Sequence, residues 1–139
     1  MMRRMSVGLA VVMLLPVLLI IGSAGPATSA SVCANPARKA FWPTRAAVAK
    51  VGRSITVLST GRGAGGLPNP PPLTTSGKQM FAWDQYGPKP GSPRGNVRFN
   101  AHTYPDGSAL GNRLLARLKV GNRIILYGNG VALCYRVNR

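Results

Sequence analysis

Patterns of hydrophobic and polar positions predict several β-strands between residues 54 and 137. In the run VRFNAH, residues 97–102, apolar and polar side chains alternate with a period of two, so the polar face of this strand ends on His102. The run SITVLST, residues 54–60, is rich in β-branched side chains and predicts another strand. RIILYG and VALCYRV flank Asn129-Gly130, a dipeptide that favours a tight hairpin turn. These patterns predict a mostly β domain.

A leucine at every fourth position predicts one short helix between the run 97–102 and the run RIILYG. Leu110, Leu114 and Leu118 would form the apolar stripe that packs on the core. Ser108 is a suitable residue to cap the amino end of the helix, and Gly121 is suited to follow its carboxyl end.

Glycine and proline dominate residues 61–78 and predict a loop. Residues 61–66 match the letters G-x-G-x-x-G, but the prolines at 68 and 70–72 prevent the helix that a dinucleotide site requires there. After the last predicted strand, residues 131–137, the sequence offers no element to cover the free strand edge. We therefore expect an incomplete β-barrel with one short helix.

The amino terminus has the pattern of an export signal. A short cationic start, MMRR, precedes an apolar run over residues 7–21 and a segment of small residues that ends at Ala30. Residues 1–30 are therefore predicted to be either a cleaved signal peptide or an amino-terminal membrane anchor. The folded domain is expected over residues 31–139, outside the cytoplasm.

The charge balance is strongly positive and limits the chemistry. The chain has 18 Lys and Arg residues against two acids, with a net charge of +16. Such a surface attracts anionic wall polymer, acidic lipid headgroups or nucleic acid, although no nucleic-acid recognition motif is present. The two acids, Asp84 and Asp106, are an improbable glycosidase pair, and the His and Cys content supplies no closed zinc site. No cofactor or metal is expected.

The remaining reactive side chains are one histidine and two thiols. His102 lies at the end of a strand on its polar side, directly before the turn-forming residues YPDG, which favours a site over a structural role. Cys33 and Cys134 are an even number of cysteines in an exported chain and therefore a candidate disulfide. Two unpaired thiols are the alternative.

The segment GNVRFNAHTYPDGSALGNRLLARLKVGNRIILYGNGVALCYRV, residues 95–137, resembles the sortase family, specifically the actinobacterial class F sortases. The run AHTYPDG at 101–107 is the most specific part, and the similarity covers about residues 33–137. Asn122 stands where the family usually has Asp.

This resemblance implies a β-barrel cysteine transpeptidase that anchors secreted proteins to the cell wall. In that family a Cys thiolate attacks the Thr carbonyl of a Leu-Pro-x-Thr-Gly-like sorting signal and forms a thioester. A His acts as acid and base, and an Arg stabilises the oxyanion. The partners implied are secreted proteins with such signals and a cell-wall amine acceptor.

Only the histidine of this catalytic set has a counterpart, His102. The family nucleophile belongs to a Thr-Leu-x-Thr-Cys-like motif on a later strand, with the Arg beyond it, and neither is identifiable here. We therefore expect a domain that lacks the carboxy-terminal barrel strands and is inactive alone. Cys134 as nucleophile is the less favoured alternative. An exported cationic module that binds anionic wall polymer or membrane without catalysis is the alternative function.

Overall fold

A computed structural model describes residues 29–34 and 36–138. In chain order the elements are α1 (Ser29–Ala34), β1 (Arg45–Val48), β2 (Gly52–Thr60), β3 (Phe81–Asp84), β4 (Phe99–Asn100), α2 (Leu110–Arg117), β5 (Arg123–Gly128) and β6 (Val131–Arg136). The strands form one curled sheet in the order β4-β3-β2-β1-β5-β6, in which only β2 and β3 run parallel. The mostly β fold with an incompletely closed sheet is confirmed, and within the described residues β4 and β6 are its edges.

The strands that the sequence predicts most strongly are present. β2 contains the whole of the predicted run 54–60, and its buried residues Ile55 and Val57 show the expected period of two. β5 and β6 pair in the predicted antiparallel hairpin. Asn129 and Gly130 have φ values of 51° and 74°, the left-handed conformation that a two-residue hairpin turn requires.

Two predicted boundaries differ from the structure. The strand expected over 97–102 is reduced to Phe99–Asn100, because the chain then turns towards α2 and the His102 carbonyl accepts from the backbone N–H of Gly111 instead of a strand partner. Ser108 does not cap α2: Ala109 is the N-cap, and the Ser108 hydroxyl donates to Asp106 at 2.7 Å. The predicted leucine stripe does contact the core, with Leu110 buried and its two successors packed against it.

Two strands, β1 and β3, carry much of the core and lack a clear sequence pattern. β1 is only four residues long, and β3 is buried at every position, so neither shows a long alternation. Trp83 of β3 is fully buried and meets the ring of Trp42 edge to face at 5.1 Å. The core cluster consists of Phe41, Ala46, Val48, Ile55, Val57, Phe81, Trp83, Leu110 and Leu126.

Asp84 is a buried carboxylate at the end of β3. It accepts from Arg62 Nε at 3.0 Å, from Arg98 Nη2 at 2.7 Å and from the Tyr86 backbone N–H at 3.1 Å. The side-chain hydrogen bond from Arg62, together with those from Arg98 and Tyr86, lowers the pKa of Asp84 against the opposing effect of burial. Asp84 therefore joins β3, the loop after β2 and the start of β4.

Cys33 of α1 and Cys134 of β6 form a disulfide with their Cα atoms 5.6 Å apart. The Ala37 N–H donates to the Ala132 carbonyl at 2.8 Å, so the chain after α1 also lies against β6. Most of the predicted export segment, residues 1–28, lies outside the described residues. Within the described part of the chain, no helix has both the length and the apolar character needed to cross a membrane.

The disulfide should contribute strongly to stability. Its cysteines are 101 residues apart, and closing a loop of that length in the unfolded chain corresponds to about 4.7 kcal/mol in the chain-entropy model. We expect Cys33→Ser/Cys134→Ser to lower the free energy of unfolding by up to about that amount. Urea unfolding of the two proteins measures the difference. Non-reduced peptide mapping of the native chain should recover the linked peptides, and two freely alkylatable thiols would contradict the pairing.

Acid should destabilise the protein through Asp84. Because the pKa of Asp84 is lowered on folding, its contribution is present above the ordinary aspartate pKa of 3.8 and is lost as the pH falls through the lower value of the folded state. Asp84→Asn should therefore be less stable than the native protein at neutral pH and should lose much of this acid dependence. Urea midpoints measured from pH 7 down to pH 2 test this.

The matched control is Asp106→Asn, the other acid of the chain. The backbone N–H and the hydroxyl of Ser108 lower the pKa of Asp106, but these contacts lie within one exposed turn. Asp106→Asn should therefore shift the neutral-pH midpoint much less than Asp84→Asn. Equal shifts in the two variants would show that the Asp84 cluster is not a main support of the fold.

Candidate functional site

His102 lies two residues beyond the edge strand β4, and a proline-rich loop holds its ring. Its Nε2 atom is 2.7 Å from the carbonyl oxygen of Pro71. A carbonyl can only accept a hydrogen bond, so the neutral ring carries its proton on Nε2 and leaves Nδ1 as the basic nitrogen. Among the described residues the His102 ring has no second hydrogen-bond partner.

The proline-rich loop accepts two hydrogen bonds from the polar face of β4 and the residues after it. Prolines lack an N–H, so the segment 70–72 cannot donate to a strand ladder, whereas the carbonyl of the buried Pro71 still needs a donor. Asn100 Nδ2 donates to the carbonyl of Pro68 at 3.2 Å, and His102 donates to that of Pro71. The period-two polar face that the sequence predicts thus bonds to two carbonyls of one loop.

The backbone around His102 is clamped by the first turn of α2. The Gly111 N–H donates to the His102 carbonyl at 2.8 Å, and a Cβ atom at Gly111 would lie only 2.5 Å from that oxygen. Asn112 accepts from the Tyr104 N–H at 2.8 Å and donates to the Tyr104 carbonyl at 3.1 Å. A glycine is therefore required at 111, and both ends of the segment 102–104 are fixed.

A polar network lies beside this segment. The rings of His102 and Tyr104 are 5.6 Å apart, and the Lys78 ammonium is 5.8 Å from the Tyr104 ring. Lys78 donates to the Ser108 hydroxyl at 3.0 Å, and that hydroxyl donates to Asp106. Asp106 is thus occupied by Ser108 and forms no hydrogen bond to His102 within the described residues, so these residues do not assemble a Ser-His-Asp triad.

Cys134 is not a free thiol that could act together with His102. It is joined to Cys33, so it has no thiol, and it lies on β6, at the opposite end of the strand order from β4. The described residues contain no free cysteine. The alternative in which Cys134 attacks a substrate is therefore corrected: a disulfide sulfur cannot supply a thiolate.

Pro71, Gly111 and Asn112 are the site residues that sequence reasoning missed. Pro71 acts through its backbone carbonyl across 31 residues of chain, which leaves no periodic signal in the sequence. Gly111 and Asn112 follow the histidine within ten residues, but their contacts depend on the direction in which α2 begins. Within residues 29–34 and 36–138, no three His, Cys, Asp or Glu side chains gather as metal ligands.

The contact with the Pro71 carbonyl should favour the Nε2–H tautomer of His102. The chain has one histidine, so its ring nitrogens give a single set of NMR signals. We expect the neutral ring to be mainly the Nε2–H form in long-range ¹H–¹⁵N spectra. Replacing Pro70, Pro71 and Pro72 by glycine should reduce this preference by freeing the loop. Leu73→Ala, a change at the adjacent exposed residue, is the control, and a dominant Nδ1–H form in the native chain would contradict the contact.

Models of known protein families, curated proteins and solved structures give no match to this chain. Among the described residues, the one imidazole of the sequence is fixed through Nε2 near the end of an edge strand, and its Nδ1 has no hydrogen-bond partner.

Proposed function

We propose that this chain is a class F sortase-like protein whose His102 serves as the acid and base of a cysteine transpeptidase. The proposal places the protein outside the cytoplasm, at the membrane or in the wall, where it would act on secreted proteins with Leu-Pro-x-Thr-Gly-like signals. The observation that carries it is the fixed His102 ring at the open edge of the sheet. Both cysteines of the sequence are joined to each other, so the thiolate has to come from other polypeptide.

The open edges support this arrangement. β4 pairs only with β3, and β6 only with β5, so each has one unpaired side within the described residues. Neighbouring strands lie about 4.8 Å apart, so a strand added beside β4 would bring its side chains close to the residues at the end of β4. A cysteine on that strand could therefore approach His102, and further pairing could extend the sheet towards β6.

The chemistry assigned to His102 follows from its tautomer. A thiolate attacks the Thr carbonyl carbon, and the new C–S bond gives a tetrahedral oxyanion. Collapse of this species breaks the C–N bond to glycine, and a protonated imidazole donates the proton that the leaving amine needs. The neutral ring then takes a proton from the incoming amine as that amine attacks the thioester carbon, and collapse of the second oxyanion breaks the C–S bond and returns the thiolate. With Nε2 bonded to Pro71, Nδ1 is the atom that exchanges these protons.

Charge supports a second candidate function, an exported cationic module that binds anionic wall polymer or membrane. The net charge is +16. Asp84 forms ion pairs with two arginines, and Asp106 is hydrogen-bonded to Ser108 and lies near Lys78, so two acids leave most of the 18 basic side chains without a carboxylate partner. Salt-dependent retention on a polyanion without peptide cleavage would favour this candidate.

The catalytic proposal predicts that the chain alone does not cleave a sorting-signal peptide or trap it as a thioester, because it has no thiolate. Joining it to the carboxy-terminal strands of a class F sortase, with their Cys and Arg, should produce turnover. His102→Ala in the joined protein should reduce that turnover by about 10²–10⁴-fold, the usual contribution of acid–base catalysis. A fluorogenic peptide assay measures the three proteins.

The joined protein with its added Cys changed to Ala is the control for thiol dependence. A joined protein that folds but shows no His102-dependent turnover would overturn the proposal. So would turnover by the unextended chain that disappears in Cys134→Ala, because Cys134 would then be a nucleophile after all.

A further inference from the structure

A cavity of about 710 Å³ lies far along the sheet from His102, where β1, the β5–β6 turn and the chain after α1 meet. Its volume is within the range of small-molecule sites in proteins. Its lining includes Arg38, Arg45, Thr44, Tyr127 and the turn residues Asn129 and Gly130. The cavity thus combines two guanidinium groups with an aromatic ring and a turn.

The walls of the cavity are held by backbone hydrogen bonds. The Ala37 N–H donates to the Ala132 carbonyl at 2.8 Å, which places the neighbouring Arg38 against β6. The Thr44 N–H donates to the Tyr127 carbonyl at 2.9 Å and joins the start of β1 to β5. The Cys33–Cys134 disulfide closes the same side of the domain. The cavity is therefore part of the folded framework.

Arg45 is held in a defined position inside this cavity. It pairs directly with Tyr127 across the β1–β5 ladder, and its guanidinium carbon lies 3.8 Å from the centre of the Tyr127 ring. Stacking on a ring face leaves the in-plane N–H groups of a guanidinium free to donate to another acceptor. The stack thus aligns Arg45 as a hydrogen-bond donor without using its donors.

No carboxylate among the described residues pairs with the guanidinium of Arg38 or Arg45. Among the described residues neither Arg38 nor Arg45 forms an ion pair, since both ion pairs present join Asp84 to Arg62 or Arg98. The one other acid in the sequence, Asp106, is bonded to Ser108. The cavity has no acidic side chain in its lining. An anion in this cavity would therefore have to come from a ligand.

We propose that this cavity binds a phosphate group between Arg38 and Arg45. One guanidinium already satisfies both oxygens of a carboxylate, whereas a phosphate presents more acceptor oxygens and can accept from two guanidiniums. The group can belong to a free phosphate monoester or to a repeating phosphodiester polymer, which would continue out of the cavity. This site deepens the second candidate function and does not depend on the chemistry of His102.

The test measures binding of glycerol 1-phosphate and of a poly(glycerol phosphate) to the whole chain by calorimetry, at constant ionic strength. Arg38→Gln/Arg45→Gln should weaken binding of both probes by about tenfold or more, because charge-assisted hydrogen bonds are lost. The matched control is Arg53→Gln/Arg123→Gln, which removes the same charge at two exposed positions outside the cavity. The control should change the affinity for the monoester less than twofold.

The outcomes separate the site from the general effect of charge. Equal weakening in the two double variants would overturn the cavity site but keep the cationic module, because net charge would then explain the binding. Binding of neither probe to the native chain would overturn both. If acetate competes as well as glycerol 1-phosphate at equal concentration, the phosphate assignment fails. Should the Arg45 change unfold the protein, Arg38→Gln alone is the second test. This variant should fold, because Arg38 is exposed, and it must still weaken binding.

Discussion

The carboxylate of Asp84 holds together the half of the sheet that carries His102. β4 is only two residues long and pairs with β3 through two residue pairs, so the ladder alone attaches it weakly. Asp84, fully buried at the end of β3, binds Arg98 directly before β4 and Arg62 in the loop after β2. Removing one partner from a buried ion pair leaves an uncompensated charge, so this contact constrains the edge strand and the histidine that follows it.

Within the described residues the sheet has two open edges, one near His102 and one at β6. The His102 ring is fixed through Nε2, whereas both thiols are joined in a disulfide between α1 and β6. The same disulfide that removes Cys134 from catalysis supports the wall of the Arg45 cavity. The two ends of the strand order therefore have separate roles: β4 presents the imidazole, and the β1, β5 and β6 end presents unneutralised guanidiniums.

The excess of basic over acidic side chains makes the electrostatic potential around the whole chain positive. With 18 basic residues and two occupied acids, most guanidinium and ammonium groups have no protein counter-charge. A polyanion would be attracted to such a surface. Binding of a polyanion and the proposed chemistry at His102 would therefore use different parts of the protein and are compatible with each other.

Sequence alone determined the β class, strand β2, the β5–β6 hairpin and the leucine stripe of α2, because each depends on local periodicity or turn chemistry. It also singled out His102, through its place on a polar strand face. It did not identify β1 or β3, which are too short or too uniformly buried to show a period. Only the tertiary structure decided that Pro71 sets the His102 tautomer, that Asp84 joins two arginines, and that Arg38 and Arg45 share a cavity. These contacts join residues far apart in the chain, and their partners are often backbone atoms, which all residue types share.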